Sequence, residues 1–284
     1  MNRTVSLPDG TNVGAIGQGT WYLGEGNHPR AQEENALIAG IESGMTLIDT
    51  AEMYGEGLAE ELAGDVISHF DRENLFVVSK VYPHNAGRNR IFSSCEKTLQ
   101  RLDTDYLDLY LLHWRGSVPL SETVECMEEL VSMGKIRRWG VSNFRVSDME
   151  ELWSVPNGNH CAVNQVLYHL ASRGIEYDLF PWMRAHNVPV MAYCPLAQGG
   201  DLRRGLFDSP AVKKVAQKHN ASVSQILLAF VIHDGDIIAI PRASQADHAR
   251  ANAAAAGIFL DEEDMALLNT AFPAPDHAVP LDVV

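Results

Sequence analysis

The sequence has few cysteines and no long apolar run. Four cysteines occur among its 284 residues, Cys95, Cys126, Cys161 and Cys194, and no pair stands at metal-knuckle or C-x-x-C spacing. We therefore expect reduced thiols and no bound metal. The longest apolar runs, such as I-L-L-A-F-V-I, are too short to span a bilayer, so no membrane partner is expected.

Positive charge is also scarce. Lys and Arg total 22 against 37 Asp and Glu, which gives a formal net charge of −15. Such a surface repels phosphate backbones and anionic lipids, so nucleic acid and membrane surfaces are not expected as partners. The first residues, M-N-R-T-V-S-L-P-D-G, contain no apolar stretch typical of a signal peptide. We expect a cytoplasmic protein.

Proline and glycine are scattered at turn positions instead of forming a linker, which predicts one domain over residues 1–284. Near the start, T-V-S-L-P-D-G-T-N-V places a D-G turn signal between alternating residues and predicts a β-hairpin. Strand-like and amphipathic segments then alternate. The predicted strands cover residues 13–19, 46–49, 75–80, 106–113, 138–141, 161–166, 189–193 and 237–240. The predicted helices include 31–43, 58–69, 91–101, 120–133, 222–233 and 261–270.

Eight strands separated by helices predict an α/β fold, a (β/α)8 TIM barrel with the N-terminal β-hairpin as a plug. Several strands are continuous apolar runs, as expected where both faces are buried. An open doubly wound sheet more often has G-x-G-x-x-G after its first strand, whereas this chain has G-Q-G-T-W.

Four side chains that can transfer or stabilise a proton follow consecutive predicted strands. Asp49, Lys80 and His113 end the second, third and fourth strands, with spacings of 31 and 33 residues, and Tyr54 follows Asp49 closely. The carboxyl ends of barrel strands surround one site, so these side chains should face each other.

This set suits the reduction of a carbonyl group, which needs a proton donor for the oxygen. Free tyrosine has a pKa of about 10 and donates reluctantly. An ammonium at Lys80 should lower the pKa of Tyr54. Asp49 can keep Lys80 charged, and His113 can hydrogen-bond the substrate oxygen.

Each residue also has a structural interpretation. Asp49 before Thr50 could cap a helix, and Lys80 could be a surface charge at a strand end. Tyr54 could pack in a loop, and His113 could be a core histidine with satisfied hydrogen bonds. The catalytic interpretation is favoured because all four fall on the same rim.

Several longer motifs extend over nearly the whole chain: L-I-D-T-A-E-M-Y-G-E-G, V-V-S-K-V, Y-L-D-L-Y-L-L-H-W, K-I-R-R-W-G-V-S-N-F, N-Q-V, M-A-Y-C-P-L and A-I-P-R-A. With these motifs the chain resembles the aldo-keto reductases, and Asp49, Tyr54, Lys80 and His113 match the family's catalytic tetrad. The resemblance implies a barrel that binds NADPH/NADP+ without a Rossmann domain, and a monomer. It is greatest to short bacterial members that act on small aldehydes such as methylglyoxal. The expected substrates are therefore small aldehydes and ketones, namely methylglyoxal-like dicarbonyls and simple aldehydes, with keto-sugars as a further candidate.

The resemblance also implies a set of cofactor-binding residues. They are Gly19, Thr20, Trp21, Asp49, Ser142, Asn143, Gln165, Tyr193, Pro195, Leu196, Ile240, Pro241, Arg242, Ala243, Ser244, His248 and Asn252. Ser142, Asn143 and Gln165 would bind the nicotinamide carboxamide, Tyr193 would stack on its ring, and Arg242 would bind the 2′-phosphate. Ala243 replaces a usual Ser and His248 a usual Arg, so the predicted preference for NADPH over NADH is smaller than usual.

Aromatic residues beyond the strand ends predict the substrate pocket. Trp21, Tyr82 and Trp114 should contact the substrate beside Tyr54 and His113. Tyr22 is expected to pack on a loop instead. The connection after His113 and the C-terminal tail are short, which favours an open pocket for small carbonyl compounds.

Three other functions compete with carbonyl reduction. A Schiff-base aldolase would use Lys80 as nucleophile, but Asp49 should keep this lysine charged. A metal-dependent hydrolase lacks an H-x-H pair at the end of the first strand. A cofactor-bound regulatory or redox-sensing subunit with little turnover would be expected to carry a partner-binding extension, which is not evident here.

Overall fold

A hairpin opens the part of the chain that the computed structural model describes, residues 3–284. Strands β1 (Thr4–Ser6) and β2 (Asn12–Gly14) pair antiparallel, with Val5 opposite Val13. The turn includes Gly10 at φ +85°, a conformation that suits glycine. Arg138 donates two hydrogen bonds to Asp9, at 2.8 and 3.0 Å. The predicted hairpin is therefore present.

Eight parallel strands form the main sheet, and each is hydrogen-bonded to its neighbour in the sequence. They are β3 (Gln18–Gly19), β4 (Leu47–Asp49), β5 (Phe76–Val81), β6 (Leu109–Leu112), β7 (Trp139–Ser142), β8 (Asn164–Leu167), β9 (Val190–Tyr193) and β10 (Ile237–Ala239). Arg138 immediately precedes β7, so the hairpin lies at the amino-terminal end of these strands.

The sheet is curled, and hydrogen bonds also link its first and last strands. The Gly17 amide donates to the Ala239 carbonyl at 2.8 Å, and the Ala239 amide donates to the Ala15 carbonyl at 2.8 Å. One predicted boundary was wrong: the predicted strand 13–19 is divided, with Val13 in the hairpin and Gln18 in the main sheet. The alternating pattern did not show this division because both pieces are extended.

Helices occupy the connections between the strands of the main sheet, and two more follow β10. They are α1 (Arg30–Glu42), α2 (Leu58–Ile67), α3 (Ile91–Leu102), α4 (Leu120–Ser132), α5 (Val146–Ser154), α6 (Leu179–Ala185), α7 (Gly200–Asp208), α8 (Pro210–Lys218), α9 (Val223–Val231), α10 (Ala246–Ala254) and α11 (Glu262–Ala271). Capping boxes begin α9, at Ser222 and Gln225, and α11, at Asp261 and Asp264. The predicted helices are present, with ends that shift by up to two residues.

The core lies within the sheet and between the sheet and the helices. Every residue of β6 is buried, as is every residue of β7 and β8. One face of each strand meets the sheet interior and the other meets helices, which explains the continuous apolar runs in the sequence. Polar side chains therefore concentrate at the strand ends.

Candidate active site

Asp49, Tyr54, Lys80 and His113 come together at the carboxyl ends of β4 to β6. Asp49 is the last residue of β4, Lys80 lies near the end of β5, and His113 follows β6. Tyr54 lies in the turn after β4, and its ring centroid is 5.8 Å from that of His113. The structure thus brings all four predicted side chains to one place.

Lys80 is at the centre of the group and is fully buried. Its Nζ donates to Asp49 Oδ2 at 2.7 Å, to the Thr50 carbonyl at 2.8 Å and to Tyr54 Oη at 3.0 Å. An ammonium has three donors, so these contacts satisfy it. Burial lowers the pKa of Lys80, and the Asp49 carboxylate opposes that effect. A charged lysine with three partners is a poor nucleophile, which disfavours Schiff-base chemistry.

The Asp49 carboxylate uses both of its oxygens. Oδ2 accepts from Lys80, and Oδ1 accepts from Gln165 Nε2 at 2.7 Å. Burial raises the pKa of Asp49, while Lys80 and Gln165 act to lower it. The carboxylate therefore joins the lysine to a residue of β8.

The expected effect on Tyr54 was wrong in direction. Burial raises the pKa of Tyr54 well above 10, and the nearby Asp49 charge raises it further. The sequence identified the Lys80 neighbour but not the depth at which the phenol is buried. Tyr54 consequently keeps its proton at neutral pH. Because Lys80 donates to the phenol oxygen, the phenol hydrogen is free to point toward another acceptor.

His113 is neutral for a related reason. Burial and the Lys80 ammonium lower the pKa of His113 to about 2. Its Nδ1 is buried without a hydrogen-bond partner among residues 3–284, and the ring lines a cavity. The side-chain amide of Asn143 donates a hydrogen bond to the backbone carbonyl of His113 at 3.2 Å. A neutral imidazole can donate one hydrogen bond to a ligand.

A cavity of about 380 Å³ opens over these residues. Its lining includes predicted residues from several strand ends: Gly19, Trp21, Asp49, Tyr54, His113, Trp114, Ser142, Asn143, Gln165, Tyr193, Pro195, Leu196, Ile240, Pro241 and Arg242. It also includes Tyr22, Met53, Cys194, Ala197, Gln198, Arg203 and Val284.

Hydrogen bonds fix one polar wall of the cavity. Tyr193 Oη donates to Asn143 Oδ1 at 2.8 Å, and Ser142 Oγ donates to the Gln165 carbonyl at 2.8 Å. Asn143 has φ +60°, a conformation that asparagine tolerates better than most residues. The amide side chains are thus oriented in advance, beside a partly exposed aromatic ring.

The cavity suits a dinucleotide that carries phosphates. Its lining includes two guanidinium groups, Arg203 and Arg242, although the whole chain is strongly acidic. The carboxylate side chain in the lining, Asp49, is already paired with Lys80. Tyr193 and Trp21 offer flat surfaces for rings. The donor set therefore fits NADPH chemically.

Several predicted residues lie outside the lining that the structure describes. Among the cofactor residues these are Thr20, Ala243, Ser244, His248 and Asn252. Thr20 Oγ1 donates to the Asp49 carbonyl, and the Ser244 carbonyl accepts from Gln32.

Of two further aromatic predictions, one needs correction. Tyr82 lies outside the cavity lining, with its ring perpendicular to that of Trp114 and the centroids 5.9 Å apart, and its contact with a substrate stays a prediction. Tyr22, expected to pack on a loop, lines the cavity and stacks on Trp21 at 4.6 Å. Its φ is +67°, and the guanidinium carbon of Arg242 lies 5.8 Å from its ring centroid. A sequence pattern does not reveal that a tyrosine adopts the left-handed backbone conformation.

Sequence reasoning missed Arg203 and the C-terminal tail. Arg203 Nη1 donates to the Leu196 carbonyl at 2.7 Å and to the Ala197 carbonyl at 3.3 Å. Ser172 Oγ donates to Asp282, and Val284 reaches the cavity. The position of the tail depends on a contact between distant segments. Arg203 instead contacts carbonyls six and seven residues away, and the paired arginines L-R-R after two glycines were a usable signal for it.

A sequence model of the aldo/keto reductase family matches residues 15–271, and the chain belongs to this family. It is 54% identical over 280 residues to methylglyoxal reductase YeaE of Escherichia coli (strain K12), covering 99% of this chain and 96% of that protein. It is 34% identical to the glyoxal reductase of Bacillus subtilis (strain 168), covering 93% and 91%. A crystal structure of an aldo/keto reductase from Klebsiella pneumoniae with NADP and acetate has a TM-score of 0.97 and 53% identity, and all of both chains align.

Neither membrane nor metal features were found in the described residues. No helix within 3–284 is long and apolar enough to cross a membrane. Over the same residues, no cluster of three or more His, Cys, Asp or Glu side chains could hold a metal ion.

Proposed function

We propose that this chain uses NADPH to reduce small aldehydes and ketones, with methylglyoxal-like dicarbonyls as the main substrate class, to alcohols. The hydrogen bond between Lys80 Nζ and Tyr54 Oη, 3.0 Å long, is the observation that carries the proposal. Relatives named as methylglyoxal and glyoxal reductases, and a structural neighbour crystallised with NADP, support the same reaction and cofactor.

Bound NADPH supplies the hydride for the carbonyl carbon. Tyr54 gives its proton to the carbonyl oxygen, and the phenolate that forms is stabilised by the Lys80 ammonium. Asp49 holds that ammonium in place. Neutral His113 donates a hydrogen bond to the carbonyl oxygen and orients it. The high pKa of Tyr54 keeps the phenol protonated before the reaction. The hydrogen bond from Lys80 strengthens as negative charge develops on the phenol oxygen.

The same geometry supports a division of the cavity. Ser142, Asn143 and Gln165 would bind the nicotinamide carboxamide, and Tyr193 would stack on the ring. Arg242 would bind the 2′-phosphate, with Ser244, His248 and Asn252 as outer contacts. Trp21 and Trp114 would form the apolar wall for a small carbonyl compound.

The larger organisation is also inferred. The hydrogen bonds between the first and last strands support a closed (β/α)8 barrel with the hairpin as a plug. One domain over 1–284, a monomeric state and a cytoplasmic location complete the proposal.

An NADPH-oxidation screen tests this function. Purified protein should oxidise NADPH with methylglyoxal, glyoxal and simple aldehydes, and to a smaller extent with keto-sugars and quinones. The product alcohol should be identified in the same reactions. Absence of turnover with every carbonyl compound, in protein that binds NADPH, would contradict the proposal.

A further inference from the structure

A second buried charge lies behind the active site. Glu60, on α2, is completely buried, and burial raises its pKa. Its Oε1 accepts from Ser79 Oγ at 2.5 Å, and its Oε2 accepts from Arg101 Nε at 2.5 Å. Replacing a buried ion pair by apolar residues is often neutral for stability, so stability alone is a weak explanation for this pair.

The partners of Glu60 lead to two catalytic side chains. Ser79 directly precedes Lys80 on β5, and successive strand residues point to opposite faces. Ser79 therefore faces α2 and holds β5 from outside while Lys80 faces the site. The hydrogen bond to Glu60 thus fixes the position of the lysine strand relative to α2.

Arg101 reaches the turn that carries Tyr54. An added Cβ at Gly57 would lie 2.6 Å from both Cδ and Nε of Arg101, so the arginine crosses the turn in direct contact. Gly55, Glu56 and Gly57 have φ values of +56°, +54° and +102°. Three consecutive residues in this region form a turn that depends on outside contacts to keep its shape.

We propose that Glu60 and Arg101 are positioning residues that clamp the Tyr54 turn to the Lys80 strand and so set the contact between the phenol and the ammonium. This inference rests on the proposed role of Tyr54 as proton donor. The Glu60 charge also helps to keep Lys80 protonated, since it raises the pKa of Lys80 against the effect of burial.

Two variants test the clamp. Glu60→Gln keeps an acceptor for Ser79 but removes the ion pair, and Arg101→Met uncovers the turn. For Glu60→Gln and Arg101→Met we expect kcat with methylglyoxal to fall by about 10- to 100-fold, because small displacements of reacting groups have effects of this size. The Kd for NADPH should stay unchanged, and Arg101→Lys should recover part of kcat.

Asp264→Asn is a matched control. Asp264 is a carboxylate that is 2% exposed and pairs with Lys218 at 2.8 Å, but it lies on α11, outside the site. This variant should lose stability without a change in kcat. If Glu60→Gln and Arg101→Met behave like Asp264→Asn, the clamp is wrong.

A crystal structure of Glu60→Gln gives a readout that does not depend on turnover. The clamp requires the distance from Tyr54 Oη to Lys80 Nζ to increase beyond 3.0 Å or to become variable. An unchanged distance overturns the clamp even where kcat falls. If the unmodified protein reduces no carbonyl compound, the proposed function fails, and this distance still decides whether the clamp exists.

Discussion

Lys80 and Asp49 form a buried ion pair, with Nζ 2.7 Å from Oδ2 and side chains that are 0% and 2% exposed. The pair sits between the phenol of Tyr54 and the amide of Gln165, which each contact one of its members. Breaking this ion pair should therefore change both the stability of the fold and the geometry of the active site.

Asp49→Asn should destabilise the protein and reduce kcat, because it leaves the Lys80 cation without a countercharge. Breaking a buried pair in this way typically costs about 3–5 kcal/mol of unfolding free energy. Denaturant unfolding at neutral pH measures this loss. The double variant Asp49→Asn with Lys80→Met should recover stability but not activity. An unfolding midpoint for Asp49→Asn equal to that of the unmodified protein would contradict the account.

Stability should fall as the solution is acidified below pH 6.5, partly through His113. Its pKa is about 2 in the folded state against 6.5 for the ordinary side chain, so within this window the unfolded chain binds more protons. Each pH unit in the window removes up to about 1.4 kcal/mol for one group. His113→Gln should make the decline shallower in unfolding experiments from pH 7 to pH 4.

His169 provides a comparison outside the site. Burial lowers its pKa to about 4, so its contribution should end near that pH. An unfolding profile for His113→Gln that runs parallel to that of the unmodified protein would show that His113 is not held neutral.

Arg203 and Arg242 should differ in their effects on the two nicotinamide cofactors. Arg242→Met removes the proposed 2′-phosphate contact and should weaken NADPH binding by about tenfold, leaving NADH binding unchanged. Arg203→Met should weaken the binding of both cofactors, because we assign this second guanidinium of the cavity to the pyrophosphate that NADPH and NADH share. Fluorescence titration gives the four dissociation constants.

Arg204→Met is the control for this experiment. Arg204 neighbours Arg203 on α7, but its side chain is 71% exposed and pairs with Asp201. Arg204→Met should leave the Kd for NADPH and the Kd for NADH unchanged. A loss of NADPH binding alone in Arg203→Met would instead assign Arg203 to the 2′-phosphate.

The sequence predicted the positions at strand ends well. Asp49, Lys80 and His113 each lie at or just beyond the carboxyl end of an apolar strand, and parallel strands bring these ends to the same edge. These positions can be predicted from the apolar strand-like runs and from the spacing between them along the chain. Lys80 and Asp49 meet within hydrogen-bond distance, and the ring centroid of His113 lies 5.8 Å from that of Tyr54, which agrees with this reasoning.

Features set by burial or by distant contacts were not predictable in the same way. The pKa direction of Tyr54 depends on how completely the phenol is enclosed. Tyr22 lines the cavity from a backbone with a positive φ. Val284 lines it from a tail that is held by the hydrogen bond between Ser172 and Asp282. None of these relations appears in local periodicity.

The role of Tyr54 as proton donor is tested most directly by Tyr54→Phe, measured for turnover and for NADPH binding in the same preparation. Loss of a general acid typically reduces the rate by about 10²- to 10⁴-fold, so kcat for methylglyoxal should fall into this range while the Kd for NADPH is unchanged. A Tyr54→Phe protein that still reduces methylglyoxal at the unmodified rate would contradict the account.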